Sequence, residues 1–279
     1  METEALKRTA CQVRRDIIRQ TNQCSSGHPG GSLGCTDFLV ALYFKFLRKK
    51  LPFSMEGHGE DLFFLSNGHI SPLFYSVLAR SGFFPLEELR TFRKLNSRLQ
   101  GHPTTHEALP GVRVASGSLG QGLSVALGAA LGKRTHGDSS RVFVLTGDGE
   151  LQEGQVWEAA LAAAHYKADQ LIVTVDWNGQ QIDGPTAQVM DLGDLEAKWK
   201  SFGWEVLHMN GNVMEDVIDG LTRAIEMTGK QKPIVILMKT IMGFGVDFMM
   251  GTHKWHGVAP NDEQALNALA QLEETLGDY

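Results

Sequence analysis

The hydrophobic positions of this chain follow two alternating patterns that together predict an α/β fold. Short apolar runs rich in β-branched and aromatic residues are typical of buried strands, and longer stretches with apolar residues at helical spacing are typical of amphipathic helices. Strands are predicted at 61–65, 141–146, 171–176, 204–209 and 233–240. Helices are predicted at 4–23, 36–47, 71–81, 86–96, 120–133, 153–166, 192–202, 215–228 and 262–276. We therefore expect a doubly wound, mainly parallel sheet flanked by helices, in a single domain over residues 1–279.

Three segments rich in glycine, proline and histidine interrupt these patterns. Residues 25–34, 97–119 and 241–260 show neither strand nor helix periodicity and are predicted to be loops. A loop as long as 97–119 inside a compact domain is usually either functional or disordered. We therefore expect functional groups in these segments.

Two short polar motifs end neighbouring predicted strands. Gly147-Asp148-Gly149 follows the second strand, and the motif at 176–180, which contains Asn178, follows the third. A strand, a helix and a strand within about 35 residues form a crossover unit, and ligands of such open sheets bind beyond the carboxyl ends of the strands. Asp148 and Asn178 are therefore expected to face the same crevice.

The chemistry of these two side chains is that of a cation and a phosphate group. Carboxylate and amide oxygens suit Mg²⁺ or Ca²⁺, and Mg²⁺ commonly combines one or two carboxylates with phosphate oxygens of a ligand. Glycines beside Asp148 allow a diphosphate to approach the backbone, and amides at the start of the next helix favour its charge. Each motif alone is more often a simple turn, but the pair at this spacing favours a metal-and-diphosphate site.

Histidines form a second group of candidate functional residues. Five of the ten lie in glycine- or proline-containing loops after strand or helix ends: His28, His69, His102, His253 and His256. A lone loop histidine is most often a solvated surface residue, but the shared position type favours a common role. Neutral imidazole both donates and accepts a hydrogen bond near pH 7, which suits recognition of sugar hydroxyls and proton exchange. Zinc is disfavoured because no His-Glu-x-x-His helix pattern is present.

Composition narrows the class of protein. Hydrophobic residues are 42% and charged residues 21% of the chain, as in ordinary globular proteins, and the net charge of −6 argues against a nucleic-acid partner. Three cysteines without Cys-x-x-Cys spacing favour reduced thiols over disulfides or a zinc site. The N-terminus lacks a signal-peptide pattern, and the apolar run 38–47 is too short to cross a membrane. We therefore expect a cytoplasmic protein without a membrane partner.

The two strand-end motifs also carry a family resemblance. Residues 147–154 and 176–184 resemble the thiamine-diphosphate motif of transketolases. Further matching segments follow in the same order along the chain: 26–30, 65–69, 101–103, 117–122, 202–204 and 251–257. Known transketolases continue with a domain that binds the aminopyrimidine of the cofactor, and often with a third domain. The resemblance therefore implies the N-terminal subunit of a split transketolase.

The resemblance also implies cofactors and the residues that hold them. Thiamine diphosphate and Mg²⁺, with Ca²⁺ as a possible substitute, are the implied cofactors. The implied metal ligands are Asp148, Asn178 and the backbone carbonyl of Gln180. The implied cofactor-binding residues are His69, Gly117, Ser118, Leu119, Asp148, Gly149, Glu150, Asn178 and His256. The family usually has proline where Ser118 stands, so the geometry of that contact is open, as is the role of Glu153, for which helix-terminal charge and an interface role are equally plausible.

The implied reaction is transfer of a two-carbon ketol unit from a ketose to an aldose, both expected to be sugar phosphates. The implied catalytic residues are His69 and His256 on the cofactor side and His28 and His102 at donor hydroxyls. In the family, an activating glutamate comes from the pyrimidine-binding domain, so we expect activity only with a partner subunit, in an α2β2 heterotetramer. The alternatives are a subunit of a 2-oxoacid dehydrogenase or deoxyxylulose-phosphate synthase, or a non-catalytic paralogue.

Overall fold

A central parallel sheet organises the protein. The computed structural model describes all residues from Met1 to Tyr279. Its strands are β1 (Leu62–Leu65), β2 (Val142–Gly147), β3 (Leu171–Trp177), β4 (Gln180–Gln181), β5 (Gly184–Pro185), β6 (Glu205–Asn210) and β7 (Ile234–Lys239). Five of them form one sheet in the order β1, β2, β3, β7, β6, with every neighbouring pair parallel. The short β4 and β5 pair only with each other, in antiparallel fashion.

Helices connect the strands of this sheet. They are α1 (Thr3–Gln23), α2 (Pro29–Gly34), α3 (Thr36–Ala41), α4 (Ser71–Arg80), α5 (Gln121–Thr135), α6 (Gly154–His165), α7 (Thr186–Val189), α8 (Leu195–Ser201), α9 (Met214–Glu226) and α10 (Asp262–Gln271). None of them is both long enough and apolar enough to cross a membrane. A mainly parallel sheet with flanking helices is the fold class that the sequence pattern predicts, and this prediction is confirmed.

Apolar side chains on the two faces of the sheet enter two separate cores. On β2, Phe143 and Leu145 belong to the larger buried cluster, which includes residues of α1, α3 and α4. Val142 and Val144 point the other way, into a cluster with α5 and α6. Successive side chains of a strand point to opposite faces, so a continuous apolar run implies that both faces are covered.

One predicted helix is wrong. Residues 86–96 contain only a 3₁₀ turn at Leu86–Thr91. Beyond it, Arg93 and Asn96 have φ angles of 57° and 63°, in the left-handed region. Residues in that conformation cannot continue a right-handed helix, so the chain turns irregular there.

Other predicted boundaries change locally. The predicted loop 25–34 contains α2, which starts at Pro29 because the fixed φ of proline suits the first helical position. The predicted helix 36–47 is α-helical only to Ala41 and continues as a π-helix at Leu42–Phe46. The sequence pattern does not predict the β4–β5 hairpin or α7, because elements of two to four residues carry no detectable periodicity.

The β2–α6–β3 unit brings the two polar motifs together. Strands β2 and β3 pair in parallel, and their register sets Gly147 opposite Asp176. Their carboxyl ends therefore lie side by side at one edge of the sheet, where open α/β sheets bind ligands. The predicted juxtaposition of the two motifs is present in the fold.

Candidate active site

The tips of β2 and β3 are joined through Asp148. Its backbone amide donates to the carbonyl of Asp176 at 3.1 Å. Its carboxylate accepts the amide of Gly149 at 2.7 Å and the amide of Gly179, in the β3 motif, at 2.6 Å. The side chain is buried, with 1% of its surface exposed. Burial, and then the nearby Asp176 carboxylate, raise the pKa of Asp148 to about 7, so a cation is needed to favour its ionised form near neutral pH.

Asn178 is oriented by two hydrogen bonds of opposite polarity. Its Nδ2 donates to Oδ2 of Asp176 at 2.8 Å, and its Oδ1 accepts the amide of Gln180 at 2.8 Å. Asp148, Asn178 and Gln180 all line one cavity at the strand tips. The three oxygen-bearing groups implied as metal ligands are therefore neighbours in space.

Glycine at position 149 leaves the tip narrow. A Cβ on Gly149 would lie 3.2 Å from Cβ of Gln181, closer than most carbon contacts. Gly179 has a φ angle of 72°, a conformation that glycine adopts without strain. The backbone of both motifs can therefore come close to a ligand that a larger side chain would exclude.

Glu150 uses its carboxylate within the chain. One oxygen accepts the hydroxyl of Ser66 and the amide of Gly120, and the other accepts the amide of Gly147 at 3.0 Å. The side chain is 2% exposed. It holds the tip of β2 against the end of β1 and the start of α5. A carboxylate would also repel a diphosphate, so the implied contact of Glu150 with the cofactor is left to its backbone.

Four histidines converge beside the strand tips. His28 directly precedes α2, His69 lies in a 3₁₀ turn after β1, His102 is in the irregular segment 97–119, and His256 follows another 3₁₀ turn. The His69 and His256 ring centroids are 4.9 Å apart, and the His28 centroid is 5.3 Å from His69, 5.6 Å from His256 and 6.0 Å from His102. These side chains form a continuous row of imidazoles, although they come from four separate segments.

The four imidazoles are held neutral. Burial lowers the pKa of His28 to about 4, and the neighbouring His256, His102 and Arg93 add to the effect. Burial likewise lowers the pKa of His69, His102 and His256. The buried Nδ1 atoms of His28 and His256 have no hydrogen-bond partner within the chain. Neutral rings with unused polar atoms are suited to exchanging hydrogen bonds or protons with a ligand.

Residues 117–119 lie at the border of the same crevice. Leu119 lines the cavity, and a Cβ on Gly117 would lie 3.3 Å from the His102 ring. Ser118 is exposed and is not among the cavity-lining residues. The implied cofactor contact is therefore supported at Leu119 more directly than at Ser118.

Two residues whose roles the sequence leaves open also lie near the crevice. Glu153 lines the cavity and packs its Cβ closely against Gly120. His253 lies in the turn before His256, and its charge contributes to lowering the pKa of that ring. Both therefore contact or influence the site without belonging to the row of imidazoles.

The cavity at the strand tips has a volume of about 250 Å³ and is lined by His69, His256, Asp148 and Asn178, among others. Pockets that enclose a whole cofactor-sized ligand usually measure about 300–1,000 Å³. The cavity therefore fits part of a cofactor, such as a diphosphate with a cation. The chain has no group of three or more His, Cys, Asp or Glu side chains that could hold a metal by themselves.

Sequence reasoning misses one residue of this site. Asp176 belongs to the β3 motif but receives no role from the sequence, because the motif is interpreted through its neighbour Asn178. The structure buries Asp176 to 2% exposure and bonds it to Asn178 and to the hydroxyl of Thr240. Its position at the end of an apolar strand, two residues before the amide, is the available signal.

Comparisons with known proteins give the family. A family model for the thiamine diphosphate binding domain of transketolase matches residues 6–277. One of the two subunits of apulose-4-phosphate transketolase from Phocaeicola vulgatus is 38% identical over 276 residues, which are 99% of this chain and 96% of that protein. The 6-deoxy-6-sulfo-D-fructose transketolase subunit of Clostridium sp. strain MSTE9 is 36% identical over 96% of both chains. The crystal structure of transketolase from Campylobacter jejuni has a TM-score of 0.89 at 31% identity, covering 98% of this chain and 43% of that one.

The fold and these matches define a thiamine-diphosphate-binding domain. The chain belongs to the transketolase family. It spans nearly the whole length of the two related subunits but less than half of the Campylobacter transketolase. Two predictions are thereby confirmed: the chain corresponds to the N-terminal part of transketolase in its split form, and it is a transferase of the transketolase type.

Proposed function

We propose that this chain is the thiamine-diphosphate- and Mg²⁺-binding subunit of a two-subunit transketolase that moves a two-carbon ketol unit from a ketose to an aldose. The observation that carries the proposal is the convergence of two groups in one crevice. Asp148 and Asn178 supply oxygen ligands for a cation and its diphosphate, and the row of four neutral imidazoles begins beside them. The first group suits the cofactor, and the second suits a polyhydroxylated substrate.

The residues at the strand tips fit a hydrated divalent cation. Asp148 offers a carboxylate, Asn178 an amide oxygen and Gln180 a backbone carbonyl, and all three are hard oxygen ligands. Three ligands leave the remaining positions of an octahedron for phosphate oxygens and water, the arrangement that Mg²⁺ favours. The raised pKa of Asp148 supports the assignment, because a cation would stabilise the carboxylate that burial disfavours. Ca²⁺ could occupy the same ligands at longer distances.

The histidines would handle hydrogen bonds and protons on the substrate side. When bound, thiamine diphosphate supplies the nucleophilic carbon and the electron sink for cleaving a carbon–carbon bond. His69 and His256 line the cavity with Asp148, so they would donate to the diphosphate side and exchange a proton with the reacting oxygen. His28 and His102 lie further along the row and would bind donor hydroxyls. Residues 117–119 would border the cofactor, with Leu119 in contact.

A partner subunit would complete this crevice. The related proteins from Phocaeicola and Actinobacillus are named as lettered subunits of their transketolases, which implies a second subunit in those enzymes. In this chain the rim of the site exposes apolar side chains: Ile182, which lines the cavity, is 59% exposed, and the nearby Met190 is also 59% exposed. Exposed apolar groups beside a site are typical of an interaction surface. We propose that residues 1–279 act as one domain in a cytoplasmic α2β2 complex, whose partner contributes the activating glutamate.

Reconstitution tests the proposal. The chain is combined with candidate partner subunits, thiamine diphosphate and Mg²⁺, and offered a panel of ketoses that includes sugar phosphates, apulose 4-phosphate and 6-deoxy-6-sulfo-D-fructose. We expect two-carbon transfer to an aldose in the complex and none from the chain alone. Full turnover by the isolated chain would contradict the need for a partner. Activity confined to 2-oxoacids would indicate the dehydrogenase type, and cofactor binding without turnover in any complex would indicate a non-catalytic paralogue.

A further inference from the structure

Asp176 occupies a distinctive position at the end of β3. Its side chain is almost completely buried, and both carboxylate oxygens accept hydrogen bonds within the chain. Oδ2 accepts Nδ2 of Asn178 at 2.8 Å, Oδ1 accepts the hydroxyl of Thr240 at the end of β7, and the thiol of Cys35 donates to the same carboxylate. Three donors from three parts of the chain therefore converge on one acceptor.

We propose that Asp176 is a positioning residue that fixes the amide of Asn178 so that its oxygen, not its nitrogen, is available to the metal. The physical reason is the polarity of the contact. An ionised carboxylate accepts hydrogen bonds and donates none, so only the amide nitrogen of Asn178 can face it. The amide oxygen must then point away, where it also accepts the amide of Gln180. The proposal rests on the proposed role of Asn178 as a metal ligand.

The other partners of Asp176 make this orientation rigid. Thr240 directly follows the neighbouring strand β7, and Cys35 lies between α2 and α3. Each donor satisfies part of the carboxylate and prevents it from rotating toward the cavity. Groups that hold a metal ligand in this way typically change metal affinity about 10- to 100-fold when they are altered.

The test inverts the polarity of the contact with little change in shape. Asp176→Asn presents an NH₂ group to the NH₂ group of Asn178, which favours a flipped amide whose nitrogen faces the cation. We expect the affinity for Mn²⁺, used as a paramagnetic probe in the presence of thiamine diphosphate, to fall about 10- to 100-fold by electron paramagnetic resonance. Asp219→Asn, on the exposed face of α9, is the matched control because it makes the same substitution without touching the site.

A second variant distinguishes orientation from simple structural support. In the double variant Asp176→Asn/Asn178→Asp, the new amide donates to the new carboxylate, which offers its second oxygen to the metal. We expect Mn²⁺ affinity to recover to within about threefold of the wild type if polarity is what matters. Unchanged affinity in Asp176→Asn, or no recovery in the double variant, would overturn the proposal. If Asp176→Asn does not fold, the double variant alone decides.

Asp148→Ala separates this outcome from failure of the proposed function. If Asp148→Ala abolishes Mn²⁺ binding while Asp176→Asn leaves it unchanged, the metal site is correct and only the positioning role is wrong. If Asp148→Ala binds Mn²⁺ like the wild type, the metal site itself is misplaced. Melting temperatures of all variants, measured without metal, show whether each change acts on binding or on folding.

Discussion

Gly122, near the start of α5, marks the closest approach between a helix and the end of β1. A Cβ at this position would lie 2.4 Å from Cβ and from Oγ of Ser66, and 2.7 Å from its Cα. The backbone amide of Gly122 donates to the same Ser66 hydroxyl at 3.0 Å. Because a backbone atom lies within the clash, rotation of the Ser66 side chain cannot relieve it. Gly122→Ala should therefore force α5 away from the strand.

The size of the effect follows from two opposing contributions. Overpacking of a well-packed site costs about 1–3 kcal/mol, and a clash with backbone belongs at the upper end. Alanine in place of glycine in a helix returns at most about 1 kcal/mol. We therefore expect Gly122→Ala to lower the free energy of unfolding by about 2 kcal/mol.

A second glycine on α5 supplies the control. A Cβ on Gly128 would have no neighbour within 4 Å. Gly128→Ala should therefore raise the free energy of unfolding by up to about 1 kcal/mol through helix propensity alone. Urea denaturation of the isolated chain, followed by far-ultraviolet circular dichroism, should give a midpoint about 1 M lower for Gly122→Ala and a slightly higher one for Gly128→Ala.

The same substitution should also disturb the site. Ser66 donates to Glu150, and Glu150 accepts the amide of Gly147 at the tip of β2. Displacement of Ser66 should therefore weaken Mg²⁺-dependent cofactor binding in Gly122→Ala but not in Gly128→Ala. A midpoint for Gly122→Ala equal to or above that of the wild type would refute the reasoning, because it would mean that α5 and β1 are not in close contact.

Three further changes test other parts of the structure. Asp148→Ala should abolish Mg²⁺-dependent binding of thiamine diphosphate in calorimetry, whereas the exposed Asp219→Ala should bind normally; equal binding by both would contradict the metal assignment. Because burial lowers the pKa of His28 to about 4 from 6.5, the unfolded chain binds more protons between these values, so the free energy of unfolding should fall as pH drops through this window. His28→Gln should reduce that slope, and an unchanged slope would be inconsistent with the burial effect. Asp16→Ala should lower the free energy of unfolding by about 3–5 kcal/mol, because it leaves the buried guanidinium of Arg80 unpaired, and a loss below about 1 kcal/mol by urea titration would argue against this ion pair.

The strands are predictable because each is a short, continuous apolar run. Residues 171–176 and 233–240 fall within one or two positions of β3 and β7, since both faces of these strands are covered. Residues 86–96 are not predictable in the same way. Their composition favours a helix, but the left-handed conformations of Arg93 and Asn96 depend on tertiary packing that a local pattern does not contain.

The candidate site divides along the same line. The approach of Asp148 to Asn178 follows from the adjacency of two strands that are close in sequence. The orientation of Glu150 does not, because its partner Ser66 is 84 positions away. The row of histidines lies between these cases: loop position singles out its members, but their contact joins segments from His28 to His256 and requires the fold.

The neutral histidine row has a consequence for the proton balance of binding. With the pKa of His28 near 4, even a rise of about two units on contact with an anionic ligand would leave the ring uncharged at a pH of about 7.5. The pKa values of the other three rings are lowered as well. These four side chains should therefore take up no protons when ligand binds at that pH. Their contribution to the binding enthalpy should be the same in phosphate and in Tris, two buffers with very different heats of ionisation.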